Sequence, residues 1–345
     1  MSDPNHLRVV LGLMVVGPEG VPGARLTGLD NANAALDIFQ KRGHSEIDTA
    51  RLYLGGKQEA FTREAGWKER GLSVATKAYP ITPGLHAPDA LAATLETSLA
   101  ELGTDYVDIF YLHAPDRSIP FATTLEAIDK LHKAGKFKRL GLSNYTAFEV
   151  AEIATTCAHR GFVRPTIYQA LYNCLFRNIE DELVPACRRY GIAIDAYSPT
   201  GGGFLAGTIT SVDADPSEGR FGKGPMQHLT RGRYFRDGIV EGAGIIRWAA
   251  EEAGIPPLEV AMRWLVHHSA LRGGAGDGVV IGFSKLEQLV ENLDSLEKGP
   301  LDQELLGALE RAWRVARPDA GVYWTLPLEY GYDTQEVLFG KSGTR

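Results

Sequence analysis

The sequence predicts an α/β protein: a single (β/α)8 barrel with a long loop after its seventh strand and a C-terminal helix and tail. Three observations lead there. Short apolar runs alternate with amphipathic helical patterns eight times along the chain, and such alternation implies a parallel sheet, because each crossover helix returns the chain to the same strand direction. The first strand runs into "GLMVVGPEG", which does not fit the GxGxxG fingerprint that an open, doubly wound sheet carries at that place. The chain has 345 residues. A closed barrel needs about 250, which leaves roughly 90 for insertions and a tail.

In chain order, strands are expected at "RVVLGLM" (8–14), "HSEIDT" (44–49), "LSVATK" (72–77), "YVDIFYLH" (106–113), "RLGLSN" (139–144), "TIYQA" (166–170), "IAIDAYS" (192–198) and "GVVIGF" (278–283). Helices are expected near 31–42, 57–69, 88–102, 122–134, 146–160, 179–190, 258–268 and 284–294. In "PDALAATLETSLAELG", Leu91, Leu95, Leu99 and Leu102 recur at helical spacing and Gly103 stops the helix. The remaining length falls in "TGGGFLAGTITSVDADPSEGRFGKGPMQHLTRGRYFRDG" (200–238) and in everything after Leu293. No internal repeat, linker or low-complexity segment argues for a second unit. One domain is therefore expected over 1–345, with an insertion at about 200–238 and a tail at about 315–345.

Hydrophobic residues at 44% and charged residues at 23% suit a soluble globular enzyme. The net charge of −7, with both signs mixed throughout, argues against a nucleic-acid footprint or a membrane-binding basic patch. Cys157, Cys174 and Cys187 show no CxxC or Cys/His metal spacing, and an odd set reads as reduced thiols. "MSDPNHLRVV" lacks the basic start and apolar run of a signal peptide, and no apolar stretch approaches a membrane span. A cytoplasmic location is expected. The nine histidines include no HExxH or comparable ligand spacing, so no metal is expected.

Chemistry in such a barrel sits at the C-terminal ends of the strands. Those ends carry Asp48, with Tyr53 in the following loop, then Lys77, His113, Ser143 and Asn144, Gln169 and Tyr197. Each has an ordinary reading alone: a turn-forming Asp, a packing Tyr, a solvated Lys, a core His. Converging on one rim, Asp, Tyr, Lys and His make a set suited to carbonyl reduction. A tyrosine pKa of about 10 is high for a proton donor near neutrality. A neighbouring ammonium is expected to lower it, and a carboxylate to keep that ammonium charged and in place. A histidine can orient the carbonyl by a hydrogen bond.

The stretches "RGHSEIDTARLY", "VATKAYP", "LETSLAELGTDYVDIFYLHAPD", "KFKRLGLSNYTAFEVAEI", "YQALYN" and "GFSKLEQLVENL" resemble the aldo-keto reductases, specifically their aflatoxin-aldehyde-reductase-like branch, over most of the chain. "DYVDIFYLHAPD" followed by "GLSNY" at this interval is the specific part of the signal. The resemblance implies a barrel that binds NADPH without a Rossmann motif and moves a hydride to an aldehyde or ketone. It implies Tyr53 as general acid, Lys77 and Asp48 as its tuning pair and His113 as the orienting residue. It further implies that Ser143, Asn144 and Gln169 hold the nicotinamide carboxamide and that Tyr197 stacks on the ring. "SPTGGGFLAG", with Ser198, Gly201 and Gly202, would pass close to the pyrophosphate.

Many members grip the 2′-phosphate with a lysine and an arginine, where this chain has Gly282 and Gln288. The branch has a similar loss, matched here by the run from Ser284 to Gln288, with Asn292 of "VENL" beside it. The compensating charges would come from "EGRFG" and "TRGRYFRDG", making Arg220, Arg231 and Arg233 the expected phosphate contacts.

Expected substrate walls are Met14, Arg51, the "APDRSIPF" loop, the 200–238 loop and the tail. The branch's tail arginine, suited to carboxylate-bearing aldehydes, has no counterpart; Val322, Tyr323 and Trp324 stand there. An apolar or aromatic carbonyl is therefore expected. Arg51 can replace the missing charge if it points inward. The branch often forms dimers, which leaves a homodimer open. A second reading is a cofactor-binding regulatory subunit like the potassium-channel β subunits, which use the same barrel and keep a nicotinamide site. A third, a phosphosugar isomerase or aldolase barrel, would also use a rim lysine but leaves Tyr53 unexplained.

Overall fold

Eight parallel strands close on themselves in the computed structural model, which describes residues 6–217, 220–222 and 227–340. Of the segments singled out above, Glu218 and Gly219 of "EGRFG", positions 223–226 of the long loop and the first and last five positions of the chain lie outside the described residues. The barrel strands are β1 (Arg8–Gly12), β2 (Glu46–Asp48), β3 (Ser73–Ala78), β4 (Val107–Leu112), β5 (Phe137–Ser143), β6 (Pro165–Leu171), β7 (Ala193–Tyr197) and β8 (Gly278–Ile281). Closure comes from β1, which pairs with β8 through Arg8–Gly278 and with β2 through Gly12–Asp48. All eight expected strands are present.

Strands covered on both faces read as continuous apolar runs, and β8, "GVVI", is buried at every position. Inside the barrel a small cluster of Ala75, Ile109, Tyr111, Ile167 and Ala193 fills the lumen. At its N-terminal end Arg8 reaches Glu46 and Asp195, each at 2.5 Å, and the Tyr111 hydroxyl donates to Asp195 at 3.3 Å. Burial pushes the Asp195 carboxyl up to about 6, against the pull of Arg8. This charged plug lies at the end of the barrel opposite the rim that carries Asp48 and Lys77.

The helices are α1 (Leu29–Lys41), α2 (Gln58–Glu64), α3 (Pro88–Leu102), α4 (Phe121–Lys133), α5 (Ala147–Arg160), α6 (Leu183–Tyr190), α7 (Gln227–Tyr234), α8 (Asp237–Glu252), α9 (Pro257–His267), α10 (Leu286–Leu296), α11 (Gln303–Ala316) and α12 (Thr334–Phe339). Gly103 ends α3 in the left-handed conformation, φ 68°, as its position implies. At the start of α5, Thr146 and Glu149 form a reciprocal capping box.

Several expectations need correction: the helix expected at 179–190 begins at Leu183, and α7 lies within the stretch expected as a loop. The helix expected at 57–69 is shorter, ending at Glu64, and α8 was not expected at all. Its segment, "DGIVEGAGIIRWAAEE", looks like loop because of its glycines. Those glycines serve packing: a Cβ at Gly238 would lie 2.7 Å from the Val315 carbonyl, and one at Gly242 2.9 Å from that of Ala312. The backbones of α8 and α11 approach where side chains would not fit. The loop after β7 also has a core of its own, with Phe204 5.6 Å from Phe221 and 5.2 Å from Tyr234, ring to ring.

Gly141 in β5 faces Tyr111 so closely that a Cβ there would lie 2.2 Å from the ring. Overpacking of this kind costs about 1–3 kcal/mol or more. Gly141→Ala is expected to lower the urea midpoint, and adding Tyr111→Leu to recover part of the loss. Equal midpoints for wild type and Gly141→Ala would show that the lumen yields.

Candidate active site

The short strand β2 ends on Asp48, in register with Ala75 of β3, so Lys77 stands two residues nearer the rim. Lys77 is fully buried. Its Nζ lies 2.5 Å from Asp48 Oδ2, 2.7 Å from the Thr49 carbonyl and 3.3 Å from the Tyr53 hydroxyl. The three ammonium hydrogens thus have three acceptors, the condition for holding a charge away from water. Burial pulls the ammonium down, but Asp48 and Tyr53 more than offset it and Lys77 is raised above its ordinary value. For Tyr53 the balance differs from expectation. Burial pushes the phenol up, Lys77 opposes and Asp48 adds to the rise, so the expected lowering by Lys77 is present but outweighed.

His113 follows β4, its N–H donating to the Ala78 carbonyl at 2.9 Å. Its ring meets Tyr53 and Tyr79 edge-on, with centroids 6.1 Å and 5.5 Å away. Burial, then Lys77 and His86, hold the imidazole well below its ordinary pKa, and buried Nδ1 has no hydrogen-bond partner. The ring is neutral in the physiological range.

Beside this group, buried Gln169 donates Nε2 to Asp48 Oδ1 at 3.0 Å. Asn144, left-handed at φ 63°, donates Nδ2 to the His113 carbonyl at 2.7 Å and to Ser143 Oγ at 3.0 Å. What remains for a ligand is two amide oxygens, from Gln169 and Asn144, the second Gln169 amide hydrogen and the Ser143 hydroxyl hydrogen. A primary carboxamide offers two N–H donors and one carbonyl acceptor, the complementary set.

Tyr197 closes β7 half-buried, with Arg233 beside its hydroxyl and that of Tyr234. Ser198 is left-handed, φ 57°, and its carbonyl accepts from Gly201 N–H and Asn173 Nδ2, each at 2.9 Å. Gly201 and Gly202 follow with φ 63° and 67°, and Arg220 packs so close to Gly202 that a Cβ would meet its Cδ at 2.6 Å. Arg25, on the loop after β1, is pulled below its ordinary value by partial burial and by repulsion from Arg220. Arg231 differs: it stacks on Phe235, 4.2 Å from the centroid, and lies 3.5 Å from Asp215. After β8, Gly282 faces open space. The Ser284 N–H and hydroxyl donate to Gln288 Oε1 at 3.0 and 2.9 Å, and Asn292 Nδ2 to the Gly282 carbonyl at 3.1 Å.

Of the expected substrate residues, Met14 is half-buried just past β1. Arg51 does not carry a free charge: it bonds buried Glu59 at 2.5 Å and the Gly56 carbonyl. The Tyr323 hydroxyl accepts from the Ala147 N–H at 2.9 Å and donates to Glu182 at 2.5 Å, with Trp324 edge-on to its ring at 5.1 Å. Residues not singled out from sequence are Tyr79, Leu54, Arg117 and Glu149. "KAYP" directly after Lys77 was a signal for Tyr79. Leu54 adopts φ 52°, rare for a bulky residue, and its Cδ1 lies 2.2 Å from where a Cβ at Gly17 would be.

Among the described residues no group of His, Cys, Asp and Glu is placed to hold a metal ion, and no helix is long and apolar enough to cross a membrane.

The aldo/keto reductase family matches residues 8–314. An aldo-keto reductase of Pseudocercospora fijiensis is 43% identical over 84% of this chain and 99% of its own. Human aflatoxin B1 aldehyde reductase member 2 is 39% identical over 94% of this chain and 92% of its own. An aldo/keto reductase from Klebsiella pneumoniae, solved in complex with NADP and acetate, superposes with a TM-score of 0.64 at 26% identity, covering 88% of this chain and 90% of that one. A family match over residues 8–314, with a relative 39% identical over 94% of this chain, admits one conclusion: the chain belongs to the aldo/keto reductase family.

Proposed function

We propose that the protein reduces an aldehyde or ketone to an alcohol with NADPH, Tyr53 acting as general acid with Lys77, Asp48 and His113. The observation that carries the reading is the fully buried Lys77 ammonium shared between Asp48 and the Tyr53 hydroxyl. A bound reduced nicotinamide supplies the hydride for the carbonyl carbon. Tyr53 holds the proton that the carbonyl oxygen requires, and a developing alkoxide is a far stronger base than a phenolate, so a raised phenol still gives it up. Lys77 stabilises the phenolate left behind, and Asp48 keeps Lys77 charged. Neutral His113, with Nδ1 unpartnered in the core, is suited to donate from Nε2 to the substrate oxygen.

Ser143, Asn144 and Gln169 would hold the carboxamide through the complementary donors and acceptors counted above. Tyr197 would support the ring, and Ser198, Gly201 and Gly202 the pyrophosphate. Arg220 and Arg233 are the better-placed candidates for the phosphates. Two guanidiniums that repel one another, Arg25 and Arg220, are what an anion between them would offset. Arg231, engaged by Phe235 and Asp215, would have to turn. Gly282, Ser284, Gln288 and Asn292 would frame the adenosine end. An apolar or aromatic substrate is supported by Arg51, whose charge Glu59 already matches. Three buried thiols, each pushed up to about 12 by burial, fit a cytoplasmic protein.

NADPH oxidation with aromatic, apolar and carboxylate-bearing aldehydes tests this. Tyr53→Phe is expected to lose about a hundredfold or more in rate while retaining cofactor binding. A preference for succinic semialdehyde would overturn the substrate reading. Tight NADPH binding with no turnover across the panel would favour a regulatory subunit. The pH profile carries a second expectation. His113 is held well below its ordinary value and Tyr53 above its own, so kcat/KM should show no acid limb centred near 6.5 and no loss as pH rises to about 9. An acid limb at 6.5 would show that a charged imidazole forms.

A further inference from the structure

Arg117, four residues past His113 in the loop after β4, is 5% exposed. Its Nε and one terminal nitrogen fork onto Glu149 at 2.7 and 3.0 Å. The other terminal nitrogen reaches the consecutive carbonyls of Thr325, Leu326 and Pro327 at 3.0, 3.1 and 3.0 Å. Leu326 takes a left-handed backbone, φ 66°, within this run. Glu149 is itself fully buried and holds the Thr146 cap and the Tyr330 hydroxyl, the latter at 2.9 Å. The segment returns to the same place, Gly331 N–H donating to the Arg117 carbonyl at 2.8 Å. Between these anchors Thr325 N–H donates to the Asn144 carbonyl at 3.3 Å, and Asn144 in turn holds the His113 carbonyl.

A length of tail without regular secondary structure is thus tied to the rim, and the Arg117 guanidinium makes three of its bonds. Its only regular feature is the repeated return to Arg117 and Glu149. A buried Arg–carboxylate fork is weak evidence for stability, and its planar geometry fixes the orientation of what it holds.

We propose that Arg117 is a positioning residue that latches residues 323–331 onto Asn144, making the tail a wall of the substrate site and steadying the asparagine that faces the cofactor. The proposal rests on the reductase reading for its substrate consequence alone. A lysine cannot serve in its place, because one ammonium lacks the planar fork that meets Glu149 and three carbonyls together.

The test uses full-length Arg117→Gln, Arg117→Lys and Tyr323→Phe. The last loosens the same segment from a half-buried position where folding is not at stake. Chymotrypsin cleavage at Tyr323, Trp324 and Tyr330 reads the latch; NADPH affinity and KM against kcat for an aromatic and a small aliphatic aldehyde read its consequence. In Arg117→Gln and Arg117→Lys, cleavage should accelerate about tenfold or more. NADPH affinity should weaken, and KM for the aromatic aldehyde should rise about tenfold, with a far smaller rise for the aliphatic one. Tyr323→Phe should move the same way by a smaller factor, and it decides the matter if the arginine variants do not fold. Unchanged cleavage, an equal rise in both KM values, or a fall in kcat alone overturns the proposal. If wild type reduces no carbonyl, the reductase reading fails. The latch is then judged by cleavage and NADPH affinity, and unchanged values in Arg117→Gln overturn it.

Discussion

Lys77 carries its charge with no exposure to water, and its neighbours are arranged around that constraint. An ammonium in such a place has to find an acceptor for each hydrogen or lose its proton. Asp48, the Thr49 carbonyl and Tyr53 supply them. Two of these groups belong to one short strand end and the third to the loop that follows it, so the position of β2 relative to β3 decides whether the charge survives. A buried pair of this kind is weak evidence for stability, since apolar residues of equal volume often do as well. Its presence is better understood through what it does to the phenol.

Two strings of hydrogen bonds approach this rim, one ending at the phenol and the other at the His113 backbone. From within the barrel, Gln169 holds Asp48, which holds Lys77, which reaches Tyr53. From the rim, Arg117 holds the tail, Thr325 holds Asn144, and Asn144 holds the backbone of His113. The first string holds a buried charge and the second ties the tail to the rim, and the two share no residue.

The eight strands and their terminal residues were legible in the sequence because a parallel barrel with short strands puts each function-bearing side chain at the same point of a repeating pattern. Asp48, Lys77, His113 and Ser143 each stand at or within one residue of a strand end, whereas Gln169 lies two residues inside β6, which continues through Ala170 to Leu171. Helix α8 was not expected; its glycines at 238, 242 and 244 are poor helix formers, and two of them are explained only by the close approach of α11. The partners of Arg51 and Arg117 were hidden for another reason. Arg51 sits in a loop whose direction depends on Gly56, and Arg117 meets carbonyls more than 200 positions away, at 325 to 327. Backbone acceptors leave no mark in a sequence. The net rise of the Tyr53 pKa was equally invisible, since it depends on how completely the site is enclosed.

The contact between Leu54 and Gly17 has a bearing on how such a site can change. The loop after the first strand and the loop that carries Tyr53 interlock at one methyl group, with no room at position 17 for a side chain. A side chain added at position 17 would push on Leu54, the residue adjacent to Tyr53. Variation there has to proceed by paired replacements, a side chain gained on one loop matched by one lost on the other. Diversification of this mouth is therefore channelled away from the first two loops and toward the tail, whose attachment leaves the phenol untouched.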